Sequence, residues 1–194
     1  MSITAKKRII AIGASTGGID AITTILKELP VNIPGIVIVQ HIPANFSKMF
    51  AERLGNITPF TVKEAKTGDL VLPGHVLIAP GGYHMEVRKQ GNNYSVVCYK
   101  GEKIKGHCPS VDVLFKSVAL EAGANAIGVI LTGMGSDGAE GLLEMRKSGA
   151  QTIGQDESSS VIYGMPKVAY TIGAVEKQAP LNKIPQLILS LLQD

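Results

Sequence analysis

The sequence has no tryptophan, few other aromatic side chains and little net charge. Aromatic residues make up 5% of the 194 residues, which leaves few rings for stacking against nucleic-acid bases. The net charge is only +3, and no run rich in lysine and arginine exceeds the "AKKR" near the start. A basic surface of the kind that binds phosphate backbones is not indicated, and we expect no nucleic-acid partner.

Long apolar runs and cysteine clusters are also missing. No stretch approaches the roughly 18 apolar residues that span a bilayer, and the opening "MSITAKKRIIAIG" lacks the apolar core of a signal peptide. We therefore expect a cytoplasmic chain that is not inserted into a membrane. A reducing cytosol favours free thiols for Cys98 and Cys108, and neither has the spacing of a metal site, so no metal is expected.

What the sequence does contain is an alternation of buried strands and amphipathic helices. Hydrophobic residues make up 45% of the chain, which suits a globular protein with a sizeable core. The runs "RIIAIG", "GIVIVQ" and "AIGVIL" are continuously apolar, as buried parallel strands are. Between the first two, "GIDAITTILKELP" places its isoleucines and leucines on one helical face. Together these segments form a βαβ unit and predict an α/β fold.

Two further segments refine this prediction. The stretch "YHMEVRKQGNNYSVVCYK" alternates on both sides of "QGNN", which predicts an antiparallel hairpin. The stretch "CPSVDVLFKSVALEAG" predicts an amphipathic helix with Ser110 as its N-cap. No internal repeat, linker or low-complexity segment interrupts the pattern, so we expect residues 1–194 to form one domain.

Polar side chains follow three of the predicted strands at the point where each strand ends. Ser15 follows "RIIAIGA", His41 follows "GIVIVQ", and Asp137 lies in the loop "TGMGSDGA" after "AIGVIL". In open α/β sheets, ligands bind outside the carboxyl ends of the strands. If the three strands are near neighbours, Ser15, His41 and Asp137 meet in one crevice.

The residues around Ser15 have the pattern G-x-S-x-G, from Gly13 to Gly17. This pattern permits a sharp turn from strand to helix that exposes the serine hydroxyl, and the helix directs free N–H groups toward an oxyanion beside it. A serine nucleophile needs a histidine to take its proton and a carboxylate to orient that histidine. We therefore interpret Ser15, His41 and Asp137 as a catalytic triad, although each residue type alone is common in turns.

Two other interpretations of the glycine-rich turns stay open on the residues alone. The stretch "GASTGGI" also resembles the glycine loop of short-chain dehydrogenases, and Tyr163 and Lys167 have their Y-x-x-x-K spacing. Gly164 and Pro166 disfavour a continuous helix between the pair, and no acidic residue ends the second strand, so we expect no nicotinamide cofactor. A non-catalytic module could also hold an anion at two helix N-termini, but it would leave His41 without a role.

The order of motifs along the chain resembles one known family. The resemblance covers nearly the whole chain and rests on the following stretches: "GASTGG", "VQHIPANF", "APGGYHM", "PSVDVLFKSVA", "GVILTGMGSDGAEGL" and "GQDESSSVIYGMP". In this order they are similar to the catalytic domain of the bacterial chemotaxis protein-glutamate methylesterase, of the CheB type. The resemblance implies a doubly wound, mostly parallel sheet with helices on both faces and an antiparallel hairpin at one edge.

The resemblance also implies an activity and a set of residues. It implies hydrolysis of γ-glutamyl methyl esters on the cytoplasmic helices of chemotaxis receptors, and deamidation of particular glutamines there. Ser15 would be the nucleophile, His41 the general base and Asp137 the residue that orients His41. The backbone N–H of Met134 would join the oxyanion hole, and Thr16 would help to position the site. No cofactor is implied.

The chain departs from the family at its beginning. Members usually carry an N-terminal receiver domain that blocks the site until it is phosphorylated, whereas here the first strand begins within ten residues of Met1. We therefore expect a catalytic domain without a receiver domain. A separate receiver domain is then a candidate partner, beside the receptor helices.

Overall fold

A computed structural model describes residues 7–193 of the chain. Within that range the strands are β1 (Ile9–Ala14), β2 (Ile36–Gln40), β3 (Thr61–Glu64), β4 (His75–Ile78), β5 (His84–Gln90), β6 (Asn93–Tyr99), β7 (Ala126–Ile130), β8 (Gln151–Gln155) and β9 (Lys177–Ala179). The α-helices are α1 (Gly18–Glu28), α2 (Ser47–Ile57), α3 (Val111–Ala122), α4 (Ala139–Lys147), α5 (Met165–Thr171) and α6 (Ile184–Gln193). No helix in this range is long and apolar enough to cross a bilayer.

Seven of the strands form one parallel sheet in the order β3-β4-β2-β1-β7-β8-β9. Strand β1 lies between β2 and β7, so the chain order reverses direction across it. Such a reversal leaves a crevice at the carboxyl edge, because the connections leave the two neighbouring strands in opposite directions. The α/β prediction is confirmed, and the strands that precede Ser15, His41 and Asp137 are direct neighbours.

Helices cover both faces of this sheet. Within β1, Ile9 and Ala11 belong to the core beneath α3, α4 and α5, whereas Ile10 and Ile12 belong to the core beneath α1, α2 and α6. Successive side chains of a strand point to opposite faces, so a strand buried on both sides must be apolar throughout. That is why "RIIAIG" shows no polar alternation.

The predicted hairpin is present as β5 and β6, which pair antiparallel from His84–Tyr99 to Gln90–Asn93. It forms a separate two-stranded sheet rather than extending an edge of the large one. The physical reason is its apolar face: Val87 and Val96 are fully buried in the same core as α3, so the hairpin packs face-on against that helix. The backbone N–H of Val87 also donates to Ser117 Oγ on α3.

Ser110 caps α3 as expected, because its Oγ accepts a hydrogen bond from Val113 N at 3.4 Å. Three short elements, β3, β9 and α5, lack the local pattern from which a sequence prediction is made. Strand β3 is a partly exposed edge strand, and β9 has only three residues, so neither carries a continuous apolar run. Helix α5 has Pro166 in its first turn. Backbone N–H groups there have no partner within the helix, so the missing N–H of proline costs nothing and its fixed φ favours a helix start.

Candidate active site

Ser15 and His41 leave neighbouring strands at the same level. The last register pair of β1 and β2 is Ala14 with Gln40, so Ser15 and His41 are each one residue beyond it. The pairing continues through one more hydrogen bond, from His41 N to Ala14 O at 3.0 Å. Because neighbouring strands lie roughly 5 Å apart, the two residues start from adjacent points on the carboxyl edge.

The turn that carries Ser15 is held by close packing as well as by hydrogen bonds. Ser15 N donates to Thr132 O at 3.0 Å, in the loop that follows β7. Gly17 adopts a left-handed conformation with φ of 80°, which starts α1 immediately after the serine. A side chain on Gly133 would lie 2.7 Å from Ser15 Cβ and 2.3 Å from Met165 Sδ. Glycine at position 133 therefore allows the two loops to approach each other.

Asp137 lies in the loop before α4, and its carboxyl group is buried against the N-terminus of α3, where it accepts four hydrogen bonds. Its donors are Ser110 Oγ at 2.7 Å, Val111 N at 2.7 Å, Asp112 N at 3.0 Å and the His41 ring at 2.7 Å. Burial alone would raise the pKa of the Asp137 carboxyl, but the hydrogen bonds from His41, Asp112, Ser110 and Val111 outweigh it and lower the pKa to about 2. Asp137 is therefore a carboxylate at neutral pH.

The charge on Asp137 determines the proton arrangement on His41. Asp137 Oδ2 lies 2.7 Å from His41 Nε2, and a carboxylate can only accept, so Nε2 carries the hydrogen. Nδ1 is then the nitrogen with a free lone pair. It is buried and has no hydrogen-bond partner in the described part of the chain. The His41 side chain is 7% exposed and that of Asp137 1% exposed, so the pair is shielded from bulk water.

Ser15 itself is only partly buried, and its hydroxyl makes no hydrogen bond to His41 within residues 7–193. The structure thus brings all three predicted residues to one edge but joins only two of them by a hydrogen bond. Apo sites commonly have a loose contact between nucleophile and base that tightens when substrate binds. The vacant acceptor on His41 Nδ1 is the group to which such a contact would form.

Thr16 and Met134 lie on the two turns that flank Ser15. The Met134 side chain is 72% exposed and Thr16 is also exposed. Their backbone N–H groups donate to no protein acceptor among the described residues, whereas Ser15 N and Gly133 N are both engaged, with Thr132 O and Ile162 O. The N–H groups of Thr16 and Met134, on the two turns beside the serine, are of the kind that can stabilise an oxyanion.

Two buried amides connect the loops around Ser15. Gln40 Nε2 donates to Ser15 O at 2.9 Å and to His41 O at 3.1 Å, so one side chain holds both strand ends. Gln155 Oε1 accepts from Thr132 N at 2.8 Å. Thr132 Oγ1 in turn donates to Thr16 O at 2.9 Å. The backbone around Ser15 is therefore supported from β2, β7 and β8.

The ring of His107 lies flat against that of His41. The two ring centroids are 3.6 Å apart and the ring planes differ by 6°. Both histidines line a surface groove of about 350 Å³, together with Pro43, Lys103 and Cys108 among others. The groove therefore opens beside His41.

Sequence reasoning missed His107, Gln40 and Ser110 as parts of this site. Ser110 was expected only as a helix cap, although its hydroxyl also donates to Asp137. Gln40 ends β2 as its only polar residue, and a polar side chain at the end of an apolar strand is a signal that could have identified it. His107 lies in a loop with no periodic pattern, and nothing in the sequence places it beside His41.

The two residues of the dehydrogenase interpretation do not share a helix. Tyr163 precedes α5, whereas Lys167 lies within it, so they do not occupy one helix face one turn apart. The Tyr163 hydroxyl instead accepts a hydrogen bond from Gln178 Nε2 at 2.6 Å.

Cys98 and Cys108 are both free thiols, and burial raises the pKa of Cys98 to about 11. Over residues 7–193, no group of three His, Cys, Asp or Glu side chains is arranged to hold a metal ion.

The fold and site define a doubly wound α/β protein with Ser15, His41 and Asp137 at the carboxyl edge of the sheet. The family model described as CheB methylesterase matches residues 10–188. The chain therefore belongs to the CheB methylesterase family.

Individual relatives agree with this assignment. The chain is 61% identical, over 95% of its length, to a protein-glutamate methylesterase/protein-glutamine glutaminase 2 of Syntrophomonas wolfei, and covers 54% of that protein. It is 54% identical, over 96% of its length, to a protein-glutamate methylesterase/protein-glutamine glutaminase of Syntrophotalea carbinolica, and covers 53% of it. The chain thus spans about half the length of the curated relatives it matches.

A solved structure supports the fold directly. The catalytic domain of the Thermotoga maritima CheB methylesterase is 38% identical and superposes with a TM-score of 0.92. The match covers 95% of this chain and 98% of the Thermotoga chain. The described residues therefore have the architecture of a methylesterase catalytic domain.

Proposed function

We propose that this chain is a serine hydrolase that removes methyl esters from glutamate residues of methyl-accepting chemotaxis receptors and deamidates specific glutamines there. The observation that carries the proposal is the hydrogen bond between His41 Nε2 and Asp137, because His41 follows the strand next to that of Ser15 at the same level of the sheet. Membership of the CheB methylesterase family and the names of the relatives support the substrate class. The proposed substrate also assigns the action to the cytoplasm.

The first half of the reaction forms an acyl-enzyme. Ser15 Oγ attacks the γ-carbonyl carbon of the modified side chain while His41 Nδ1 takes the serine proton. The positive charge that develops on His41 is balanced by Asp137, which is already a carboxylate because of its four donors. The N–H groups of Thr16 and Met134 stabilise the oxyanion of the tetrahedral intermediate. His41 then protonates the leaving group, and methanol or ammonia departs.

The second half of the reaction releases glutamate. A water molecule gives a proton to His41 Nδ1 and attacks the acyl carbon, which forms a second tetrahedral intermediate. Its collapse breaks the bond to Ser15 Oγ, and His41 returns the proton to the serine. Because only the leaving group differs, one set of residues suits both the ester and the amide.

The proposal treats residues 1–194 as one catalytic domain, which the near-complete match to the Thermotoga catalytic domain supports. The receptor's cytoplasmic helices are the proposed macromolecular substrate. A receiver domain as a partner in regulation stays a prediction. No cofactor or metal takes part in the proposed chemistry.

The decisive experiment is mass spectrometry of a receptor fragment that carries methylated glutamates and unmodified glutamines. Incubation with the chain should remove one CH₂ unit from each susceptible ester and convert susceptible glutamines to glutamates. The Ser15→Ala variant serves as the matched control and should leave both modifications intact. An unchanged receptor fragment, with a wild-type chain shown to be folded, would contradict the proposed function.

A further inference from the structure

Beyond the three residues of the proposed triad, His41 has a second partner in His107. We propose that His107 is a positioning residue: its ring fixes the plane of the His41 ring, so that His41 Nδ1 is aimed at the hydroxyl of Ser15. This inference rests on the proposed function, because it concerns the base of that reaction. It assigns a role to a residue for which neither the triad chemistry nor the sequence gives one.

The His41 ring needs such a restraint. Its only hydrogen bond in the described chain is the one from Nε2 to Asp137. The ring is attached to the chain at Cγ and hydrogen-bonded at Nε2, so it can still rotate about the line between these atoms and swing Nδ1 away from the serine. The stack with His107, at 3.6 Å and 6°, covers one face of the ring and opposes this rotation.

The close face-to-face contact is imposed by a well-anchored loop. Aromatic rings left to themselves prefer offset or edge-to-face arrangements, so a parallel stack at this distance needs support from its surroundings. Ile104 and His107 exchange two backbone hydrogen bonds of 2.9 Å each, which closes the loop into a tight turn. Lys105, at the tip of that turn, reaches the buried Asp112 at 2.8 Å and Glu140 at 3.1 Å.

The ion pairs of Lys105 tie the loop to two helices. Burial by itself would lower the pKa of Lys105, but hydrogen bonds to Asp112 on α3 and Glu140 on α4 raise it, so the anchor stays charged. The chain then runs from His107 directly to Ser110 and Val111, both of which donate to Asp137. One short segment therefore supplies the ring against the face of His41 and the donors that fix its carboxylate partner.

The charge state of His107 suits a positioning role. Burial lowers the pKa of His107 most, and the neighbouring His41 lowers it further; Asp137 raises it, and Lys103 lowers it by the smallest amount. His107 is therefore neutral at neutral pH, when His41 takes up a proton during the reaction. A neutral ring can stack on an imidazolium favourably, whereas a second cation would repel it.

His107 does not take the place of the base. Neither of its ring nitrogens makes a hydrogen bond to Ser15, Asp137 or any other residue in the described range. It contacts His41 through its face, which carries no transferable proton. A flat ring without ring nitrogens should therefore replace it, and the loss of the ring should affect the chemical step more than substrate binding.

The test compares His107→Ala with His107→Phe by the rate of methanol release from a methylated receptor fragment. We expect the alanine variant to lose about 10- to 100-fold in kcat, with KM within about twofold of wild type. A displacement of a catalytic group by about 1 Å can slow a reaction by up to about 100-fold. The phenylalanine variant should retain most of the wild-type kcat. His75→Ala, which alters a histidine at the amino end of β4, is the matched control and should change nothing.

A double variant separates positioning from a general structural effect. In a His41→Ala background there is no ring to position, so adding His107→Ala should change the residual rate by less than about twofold. An equal loss in that background, a rise in KM alone, or a phenylalanine variant as slow as the alanine variant would each overturn the inference. An inactive wild-type chain would instead count against the proposed function.

Discussion

Asp137 Oδ2 and His41 Nε2 lie 2.7 Å apart, and this contact leaves Nδ1 as the basic nitrogen of His41. In many serine hydrolases the carboxylate binds Nδ1 and the base is Nε2. The proposed mechanism keeps the same division of roles, with the ring turned around.

Replacing Ser15 with alanine should abolish the esterase activity. Ser15 is the only proposed group that bonds to the acyl carbon, so we expect a loss on the order of 10⁴-fold or more in kcat. A serine-directed covalent inhibitor should label Ser15 in the wild-type chain and not in the variant. Thermal unfolding of both should be similar, because Ser15 Oγ makes no hydrogen bond in residues 7–193. Retention of most of the rate would show that another residue is the nucleophile.

Asp137→Asn should slow the reaction less than Ser15→Ala does, because the base and nucleophile remain. We expect its loss of rate to be roughly 10- to 100-fold smaller than that of Ser15→Ala. All four partners of Asp137 are donors, so the amide NH₂ group of asparagine must face at least one of them. Methanol release under saturating substrate gives the comparison. Asp20→Asn, at an exposed position of α1, is the control and should be fully active. A variant with the wild-type rate would remove Asp137 from the mechanism.

The same substitution should also change how stability depends on pH. The pKa of Asp137 is about 2 in the folded chain, below its ordinary value of 3.8, so it stabilises the fold while it is ionised. This contribution, about 2 kcal/mol, is present above roughly pH 4 and is lost as the pH falls toward 2. In urea unfolding, the difference in free energy of unfolding between wild type and Asp137→Asn should therefore narrow from pH 7 to pH 3. A gap that is constant over this range would contradict the lowered pKa.

The three residues should behave as one unit. In a His41→Ala background, adding Asp137→Asn should lower the remaining rate by less than about threefold, because a residue that orients His41 has nothing left to orient. The two single variants and the double variant, measured on the same receptor fragment, complete the cycle. Independent, multiplicative losses would mean that Asp137 acts on the reaction by a route other than His41.

Gln40→Leu should misplace the two strand ends that carry the nucleophile and the base. The variant loses the hydrogen bonds from Gln40 Nε2, which leaves Ser15 O with Gly18 N alone and removes the side-chain donor to His41 O. A buried carbonyl that loses its partner costs about 1–3 kcal/mol. We expect a lower melting temperature together with a fall in kcat. Gln90→Leu, at the exposed end of β5, controls for the substitution itself. Full activity in the Gln40 variant would show that the strand ends keep their places without it.

Gly133→Ala should be strongly destabilising although the change is one methyl group. The added carbon would lie 2.3 Å from Met165 Sδ and 2.7 Å from Ser15 Cβ, so at least one of them must move. We expect about 1–3 kcal/mol of lost stability and a large loss of activity. Gly55→Ala is the matched control: its nearest contact is 3.7 Å, and in helix α2 alanine should stabilise by up to about 1 kcal/mol.

Much of the fold could be predicted because its main elements have strong local patterns. Strands β1, β2 and β7 are buried on both faces and therefore apolar throughout, and α1 and α3 carry one apolar stripe each. Short elements such as β9 and α5 were missed, because a few residues do not establish a period. The hairpin was predicted as an element, but its attachment to α3 instead of the sheet edge depends on distant residues.

The sequence by itself determined which residues end the central strands. Hydrophobic periodicity is a local property, and the carboxyl ends of parallel strands meet at one edge, so Ser15, His41 and Asp137 could be assigned to one site. Only the tertiary structure decided that His41 faces Asp137 through Nε2 and that His107 stacks on it. Those contacts join residues 66 to 96 positions apart through packing of loops, and no local pattern encodes which side chains such packing brings together.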